Sequence, residues 1–346
     1  MHQKTFLIAV GVASLVVGGC TAGRGLTSGS GGSGAAGSQT GTASGPGSTG
    51  SSPTSTGTAF MTTGASTGTG MMGPATFYIH TNDTLFTLDP ANPSTPPVQV
   101  GKFDCIGGTG QDSSMTDLGV SSIGDLWAIS SKNVYSIKVM GGVAHCAQTI
   151  PLNNTKGVTF YALTMAPVGV LDPAKEVLVA GNSAGELWAV DGSGNLTQHG
   201  TFGIVPANDG HGHTYANAGK QWELSGDIVF LSNNGSPVGF ATVRDCPTPP
   251  SSSNCDKADT LIEINMSMLQ GATTGSVTKA IRGQITGYGS MYGISAYQDK
   301  VFGFSHSGDI VQISNVDGTP TLIQSTPGNL WAGAGVSTSV KIIPPM

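Results

Sequence analysis

The sequence predicts an all-β domain over residues 75–346, and three observations support this prediction. Short runs of aromatic and β-branched residues begin at Ala75-Thr-Phe-Tyr-Ile79, where a segment rich in Gly, Ser and Thr ends. These runs alternate with Gly, Asn and Asp, which are typical of tight turns between antiparallel strands. Long apolar patterns with helical spacing are missing from this part of the sequence. We therefore expect many short strands joined by turns.

A recurring phrase indicates repeated units within this domain. Most copies have an apolar segment on either side, so each unit is predicted to hold three or four antiparallel strands. Units of this kind, spaced by roughly 40–70 residues, are typical of propeller blades. The copies are Gly124–Ser130, Gly185–Asp191 and Gly308–Ser314, with partial copies at Gly328–Ala332, Asp83–Asp89 and Asp259–Asn265.

The phrases resemble the blades of the broad β-propeller superfamily, of the quinoprotein or NHL type. The repeated units count to about five blades. Leu118–Ser122 precedes one hairpin and Gly335–Ser339 echoes it at the C-terminus, so we expect the C-terminal strand to complete the blade that begins at Phe77. Such closure removes free sheet edges. A β-sandwich or a β-helix is the alternative, because the repeat spacing is irregular.

The first twenty residues resemble the signal peptide of a bacterial lipoprotein. Lys4 supplies a positive start, and the apolar run Phe6–Val17 is shorter than the about 20 residues of a spanning helix. Val17-Gly-Gly-Cys20 resembles the lipobox, which implies cleavage after residue 19 and acylation of Cys20, by palmitate or similar chains. Several acyl chains anchor a protein firmly in a bilayer. An ordinary secretory signal or an uncut anchor is the alternative.

Residues 20–74 are predicted to form a disordered tether. They are nearly all Gly, Ser, Thr and Ala, with Arg24 as the only charge, so they cannot bury enough apolar surface to fold. A coil of this length has a root-mean-square reach of roughly 40 Å. The residue after Cys20 is Thr21 and not an aspartate, which at this position would resemble an inner-membrane retention signal. We therefore expect an exported protein in the outer membrane or at the cell surface.

The four remaining cysteines are predicted to form disulfides, since an exported domain meets an oxidising compartment. Cys246 and Cys255 bracket a Pro- and Ser-rich loop that would benefit from a crosslink, which leaves Cys105 and Cys146 for each other. Four cysteines allow three connectivities, and the sequence does not choose among them. A metal cluster is disfavoured because no Cys-x-x-Cys spacing occurs.

Charge narrows the range of partners. The chain beyond residue 20 carries 13 basic against 20 acidic residues, and its Lys and Arg residues are scattered. This balance does not favour nucleic acid. The expected partners are a bilayer, through acylated Cys20, and an envelope protein or glycan. No cofactor is predicted.

Two sequence matches to catalytic motifs have simpler explanations. Gly181-Asn-Ser-Ala-Gly185 matches a nucleophile elbow around Ser183, but that elbow passes into a helix, whereas the residues that follow here are predicted to be a strand. Gly68–Gly73 matches a dinucleotide-binding pattern but lies in the tether. We interpret both as products of a Gly-rich composition.

Asp209-Gly-His211-Gly-His213 is the best candidate for a metal or ligand loop. Two imidazoles two residues apart can reach one ion from an extended segment, and a carboxylate adds an oxygen ligand. The loop is Gly-rich, however, and partner ligands cannot be assigned among the other histidines. A solvated loop at the rim of a propeller face is the favoured interpretation.

Most acids occupy turn positions, where Asp bonds to neighbouring amides. Asp117 and Glu223 are the acids expected near inner strands, where a polysaccharide hydrolase would need a pair of carboxylates. Trp127, Trp188 and Trp331 fall at matching phrase positions and are expected to pack in the core. Because no convergent catalytic set is found, the leading hypothesis is a non-catalytic binding or scaffold propeller on a lipid anchor. A propeller hydrolase is the alternative.

Overall fold

The computed structural model describes residues 75–154, 157–247, 254–271 and 273–342. The predicted signal peptide, Cys20 and the predicted tether lie outside these residues. Within the described ranges, no helix is both long enough and apolar enough to cross a bilayer.

The described chain is all-β, as the sequence predicts, with short 3-10 segments at Asn233–Gly235 and Met266–Leu269. Runs of β-branched and aromatic residues between Gly, Asn and Asp turns favour this outcome. In chain order, strands β1 to β20 are Phe77–His80, Thr84–Leu88, Val98–Phe103, Asp117–Val120, Leu126–Ile129, Asn133–Met140, Val143–Pro151, Phe160–Ala166, Val177–Asn182, Glu186–Val190, Leu196–Thr201, Glu223–Leu231, Val238–Arg244, Thr260–Ile264, Thr278–Gln284, Met291–Tyr297, Lys300–Ser305, Asp309–Ile313, Pro320–Ser325 and Gly333–Val336.

The strands form one eight-stranded sheet and three four-stranded sheets. The four-stranded sheets are β8 to β11, β12 to β15 and β16 to β19, each an antiparallel meander. The eight-stranded sheet has the order β20-β1-β2-β3-β7-β6-β5-β4. Its β3 and β7 pair in parallel over only two residue pairs, Lys102 with Val143 and Phe103 with Ala144, while its other neighbours are antiparallel.

Five strands pack side by side around one axis. We call β4, β8, β12, β16 and β20 the ring strands, because each one packs against the next and β20 packs against β4. Each ring strand is the innermost member of four consecutive antiparallel strands, and β20 pairs with β1, so that Phe77 lies opposite Val336. The sheets therefore radiate from a closed ring, which is a propeller-like arrangement.

Glycines allow the ring strands to approach one another. A Cβ atom on Gly226 would lie 2.3 Å from the carbonyl oxygen of Met291, and one on Gly293 would lie 2.8 Å from the carbonyl carbon of Gly333. Both neighbours are backbone atoms, which cannot move aside as a flexible side chain can. A larger residue at either position would push neighbouring strands apart.

The apolar core is divided among the spaces between neighbouring sheets. Phe77 of β1 meets Phe302 and Phe304 of β17 edge to face, with ring centroids 5.2 and 6.1 Å apart. Elsewhere, Trp222 and Phe202 are buried in a second cluster of apolar side chains. Burial of each such side chain contributes about 1.5–3 kcal/mol, so contacts between sheet faces hold the ring together.

The disulfide pairing agrees with the expected one. Cys105 bonds to Cys146, which joins the segment after β3 to β7. Cys246 bonds to Cys255 and closes the loop that follows β13. The first crosslink ties the segment after β3 to β7 beside an apolar cluster, and the second closes a span of nine residues whose Cys246 is fully buried.

The three tryptophans of the repeated phrase pack in or beside the apolar core, as expected, but they do not occupy equivalent positions in their sheets. Trp188 lies in β10, the third strand of its sheet, whereas Trp127 lies in β5, the second strand of its sheet, and Trp331 precedes β20. Trp331 is fully buried, Trp188 is nearly so, and Trp127 is half-buried. The phrase marks a polar turn that opens a strand, and such a turn occurs at several places within one sheet.

Substitution Gly293→Ala should destabilise the domain, because the added methyl group would overlap the backbone of Gly333 and Ala334. We expect a loss of about 1–3 kcal/mol or more in the free energy of unfolding, measured by urea denaturation. The control is Gly271→Ala, where an added Cβ has no described atom within 4 Å. Equal stability of the two variants would contradict the close approach of the ring strands.

Candidate functional site

Two aspartates meet at the centre of the ring. Asp117 is the first residue of β4 and Asp227 lies within β12, and both side chains are fully buried. Their carboxyl groups are hydrogen-bonded to each other. A hydrogen bond between two carboxyl groups requires that one of them keeps a proton, because two carboxylates would only repel each other.

Backbone amides from all the ring strands surround this pair. Asp117 accepts hydrogen bonds from three amides at 2.6–3.3 Å, and Asp227 accepts from two more. Each ring strand contributes one donor, and these donors are Leu118, Leu163, Ile228, Ile294 and Ala334. Ring strands of different sheets share few ladder bonds, so the aspartate pair supplies polar contacts that bridge them.

Burial sets the protonation of the pair. It raises the pKa of Asp117 well above the ordinary range, and the neighbouring Asp227 charge raises it further. Burial also raises the pKa of Asp227, to about 8. At neutral pH the pair therefore holds a shared proton, as carboxyl groups in contact generally do.

A cavity of about 330 Å³ opens at one end of the ring. We call this end the upper face, since the ring strands start there and the turns between second and third strands of each sheet lie there. The upper cavity falls within the size range of small-ligand sites, about 300–1,000 Å³. Its polar and aromatic lining residues are Asn82, Thr116, Thr159, Tyr161, Ser183, Glu223, Ser225, Arg244, Tyr292 and His306.

Arg244 is held in a fixed orientation at the wall of this cavity. Its Nε donates to Asp259 at 3.2 Å and its Nη2 donates to Ser225 at 2.8 Å. It lies opposite Glu223 in the pairing of β12 with β13. Burial by itself would lower the pKa of Arg244, but the Asp259 carboxylate outweighs that effect and the pKa is raised. The guanidinium therefore stays charged and balanced by acids.

Two tyrosine rings and an imidazole complete the wall. Tyr161 donates its hydroxyl hydrogen to the carbonyl of Leu224, and burial raises its pKa. The Tyr292 ring lies against that of His306, with centroids 5.0 Å apart. His306 Nδ1 donates to the carbonyl oxygen of Trp331 at 3.1 Å. Aromatic faces beside hydroxyl and amide groups suit a ligand with both apolar and polar surfaces.

The structure separates the two acids that the sequence places near inner strands. Glu223 lines the upper cavity, whereas Asp117 is sealed within the ring and does not line it. Among the described lining residues, Glu223 is the only carboxylic acid. Asp117 instead pairs with Asp227, which the sequence analysis missed. The position of Asp227 directly before the apolar run Ile228–Leu231 was an available signal, because an acid beside buried apolar residues needs a partner.

The candidate loop Asp209, His211 and His213 does not gather a metal site. Asp209 accepts hydrogen bonds from the backbone amides of both histidines, at 2.8 and 3.0 Å, which makes it a turn residue. His213 instead contacts Asp256, at 3.1 Å. Within the described ranges, groups of three close His, Cys, Asp or Glu ligand atoms occur only around the two disulfides, and these three residues are not among them.

Ser183 lies in the turn between β9 and β10, so the residues that follow it form a strand and not the helix of a nucleophile elbow. The turn is held by Asn182, whose Oδ1 accepts from the amides of Ala184 and Glu186. Ser183 does line the upper cavity, as a polar group at its rim.

Comparisons with known proteins leave the chain without a family. No protein-family model and no curated protein matches it. A protein of unknown function from Bacteroides caccae has 9% identity and a TM-score of 0.39, over 76% of this chain and 99% of that chain. The Dos1 propeller and BBS1N in complex with ARL6DN also have 9% identity, with TM-scores of 0.33 and 0.31, over 72% of this chain and 56% and 64% of theirs. At these TM-scores we draw no argument from the likeness.

Substitution Asp227→Asn should weaken the pH dependence of stability. A carboxyl group whose pKa is raised on folding stabilises the native state below its unfolded pKa, and this contribution is lost as pH rises through about 8. The free energy of unfolding of the wild type should therefore fall between pH 5 and pH 9. In the variant that fall should be smaller by at least about 1 kcal/mol.

The measurement is urea denaturation at several pH values. Asp125→Asn, at an exposed turn, serves as the control and should keep the wild-type slope. A wild-type slope in Asp227→Asn would show that the pair does not hold a proton.

Proposed function

We propose that this protein is a lipid-anchored component of the cell envelope whose five-bladed propeller binds a ligand in the upper cavity without cleaving it. The observation that carries the proposal is the upper cavity itself, with its two tyrosines and its fixed Arg244. The anchor part of the proposal rests on the sequence of residues 1–20.

The count of five blades follows from dividing the eight-stranded sheet at its shortest contact. Only two residue pairs join β3 to β7, and they pair in parallel, whereas every other contact in that sheet is an antiparallel ladder. Division there leaves five groups of four strands, each with one ring strand. The pairing of β20 with β1 supports closure of the first blade by the C-terminal strand.

The lining favours an uncharged, hydroxyl-rich ligand such as a sugar unit of a glycan. Among the described lining residues, Arg244 is the only Lys or Arg, and Asp259 and Glu223 balance it, so no excess positive charge awaits an anion. Tyr161 and Tyr292 offer ring faces to the apolar side of a sugar. The hydroxyl and amide groups of Asn82, Thr116 and Ser183 can exchange hydrogen bonds with its hydroxyl groups.

Binding is favoured over hydrolysis by the placement of the acids. A typical glycoside hydrolase needs two carboxyl groups on opposite sides of the scissile bond, roughly 5–9.5 Å apart. Glu223 is a single acid at the described wall, and Asp117 is committed to the buried pair. A propeller hydrolase is the second candidate, and the release of reducing ends from an envelope polysaccharide would support it instead.

Substitution Tyr292→Ala should lower the affinity for a glycan by about tenfold or more, because it removes a ring face from the upper cavity. The matched control is Tyr297→Ala, since both tyrosines belong to β16, both are half-buried and they lie at opposite ends of the strand. The measurement is calorimetric titration with envelope oligosaccharides, accompanied by an assay for reducing ends. Equal affinities of the two variants would place the ligand elsewhere.

Removal of the Cys246–Cys255 disulfide, as a double Cys→Ser variant, should also weaken binding. Glu223 has a carboxylate oxygen within 4.8 Å of both sulfur atoms, and the same connection leads into Asp259, which holds Arg244. We expect at least about a fivefold loss of affinity, since a looser wall must be ordered by the ligand. The double variant that removes Cys105–Cys146 should bind as the wild type does, and a reversed order would contradict this role for the loop.

A further inference from the structure

Exposed apolar side chains are concentrated at the end opposite the upper cavity. We call this end the lower face; the turns from ring strand to second strand and from third to fourth strand lie there. Each of the four-strand groups carries at least one large apolar residue at this end that is 47–64% exposed. We call these residues the apolar tips: Val98, Ile123, Val168, Met268 and Val316.

The turn between β6 and β7 carries further exposed apolar residues, but it packs beside the upper end of β3 and is therefore not counted with the lower face. It consists of Gly141 and Gly142, both with positive φ, and its flanking residues Met140 and Val143 are exposed. On the upper face, by contrast, the exposed large apolar residues among those described are Ile204 and Leu330. The exposed apolar side chains are thus distributed unequally between the two faces, and apolar residues that share one face are a typical feature of a contact surface.

The N-terminal part of the chain joins the domain at this same face. β1 runs from the lower to the upper face, and Ala75 and Thr76, which precede it, line a lower-face hollow together with Ile123 and Val340. The chain before this point holds 74 residues and includes Cys20. The chain that follows Cys20 therefore enters the described domain at the lower face.

The charges on the lower face do not select an anionic surface. Lys279 is paired with Glu263 at 2.7 Å, and Lys175 lies 3.9 Å from Asp172. Other acids at this end, such as Asp191, are exposed as well. The face therefore has no basic excess to attract anionic lipids, and apolar insertion is the contribution that remains.

We propose that the lower face docks on a bilayer of zwitterionic lipids, with the apolar tips inserted at the level of the headgroups, so that the upper cavity faces away from the membrane. This inference rests on the lipid anchor of the proposed function. The anchor supplies most of the affinity, and the tips set the orientation.

The test uses the full acylated chain in vesicles of phosphatidylcholine with brominated acyl chains, which quench nearby tryptophan. Two variants, Ile123→Trp and Ile204→Trp, place a probe at exposed isoleucines on opposite faces, above the same background of native tryptophans. We expect the brominated lipids to quench the fluorescence of the tryptophan introduced at position 123 and not that of the tryptophan introduced at position 204. Adding Val168→Ser, Met268→Ser and Val316→Ser to the Ile123→Trp chain should reduce that quenching by about threefold or more.

The possible outcomes distinguish a failure of the proposed anchor from a failure of the proposed docking. Mass spectrometry of the Cys20 peptide and flotation of the vesicles are performed on the same samples. An unacylated chain that does not float would overturn the anchor and this inference with it. An acylated chain whose two probes are quenched equally, or not at all, would overturn the docking alone. If the fluorescence of the tryptophan at position 123 changes with protein concentration in the absence of vesicles, the lower face would instead be assigned to contact with a second copy of the chain.

Discussion

The ring depends on the buried pair of carboxyl groups, Asp117 and Asp227, and on the hydrogen bonds that this pair accepts from the ring strands. Strands in one sheet are joined by ladders of backbone bonds, but ring strands of different sheets meet mainly through van der Waals contact. The two carboxyl groups accept one amide from each ring strand and thus join all the sheets at the axis. The loss of either side chain would leave buried amides without partners, and such groups typically cost about 1–3 kcal/mol each.

The burial of the aspartate pair also separates the residues that hold the ring together from the residues that could bind a ligand. The carboxyl groups that could have attracted a cation or served as acid and base are occupied within the ring, while the polar groups with free access line the cavity above them. Glu223 and Asp227 are only four residues apart in β12, yet one meets the cavity and the other is sealed. A single strand thus carries a residue for the ligand and a residue for the fold.

The sequence predicts the class of fold and the crosslinks, because these follow from local patterns. Turn residues at short intervals predict strands, and the Pro- and Ser-rich loop between Cys246 and Cys255 favours their pairing among the three possible connectivities. The aspartate pair depends on contact between residues 110 positions apart, and no local pattern carries that information. The wall of the upper cavity is likewise assembled from separate sheets, so Arg244, Tyr161 and Tyr292 come together only after the ring closes. The likeness between the repeated phrases did not indicate equivalent strands, because the copy at Gly124 covers the second strand of its group and the copy at Gly185 covers the third.

The pairing of β20 with β1 has a consequence for the order of events during synthesis. Among the described strands β1 is made first and β20 last, so one edge of β1 stays unpaired until β20 has been synthesised. The aspartate pair also lacks its donor from Ala334 until then. A chain that lacked β20 would form an open arc of sheets, and the unpaired edge of β1 could pair with other chains. Only a chain that includes β20 can therefore close the ring and complete the set of amide donors around the aspartate pair.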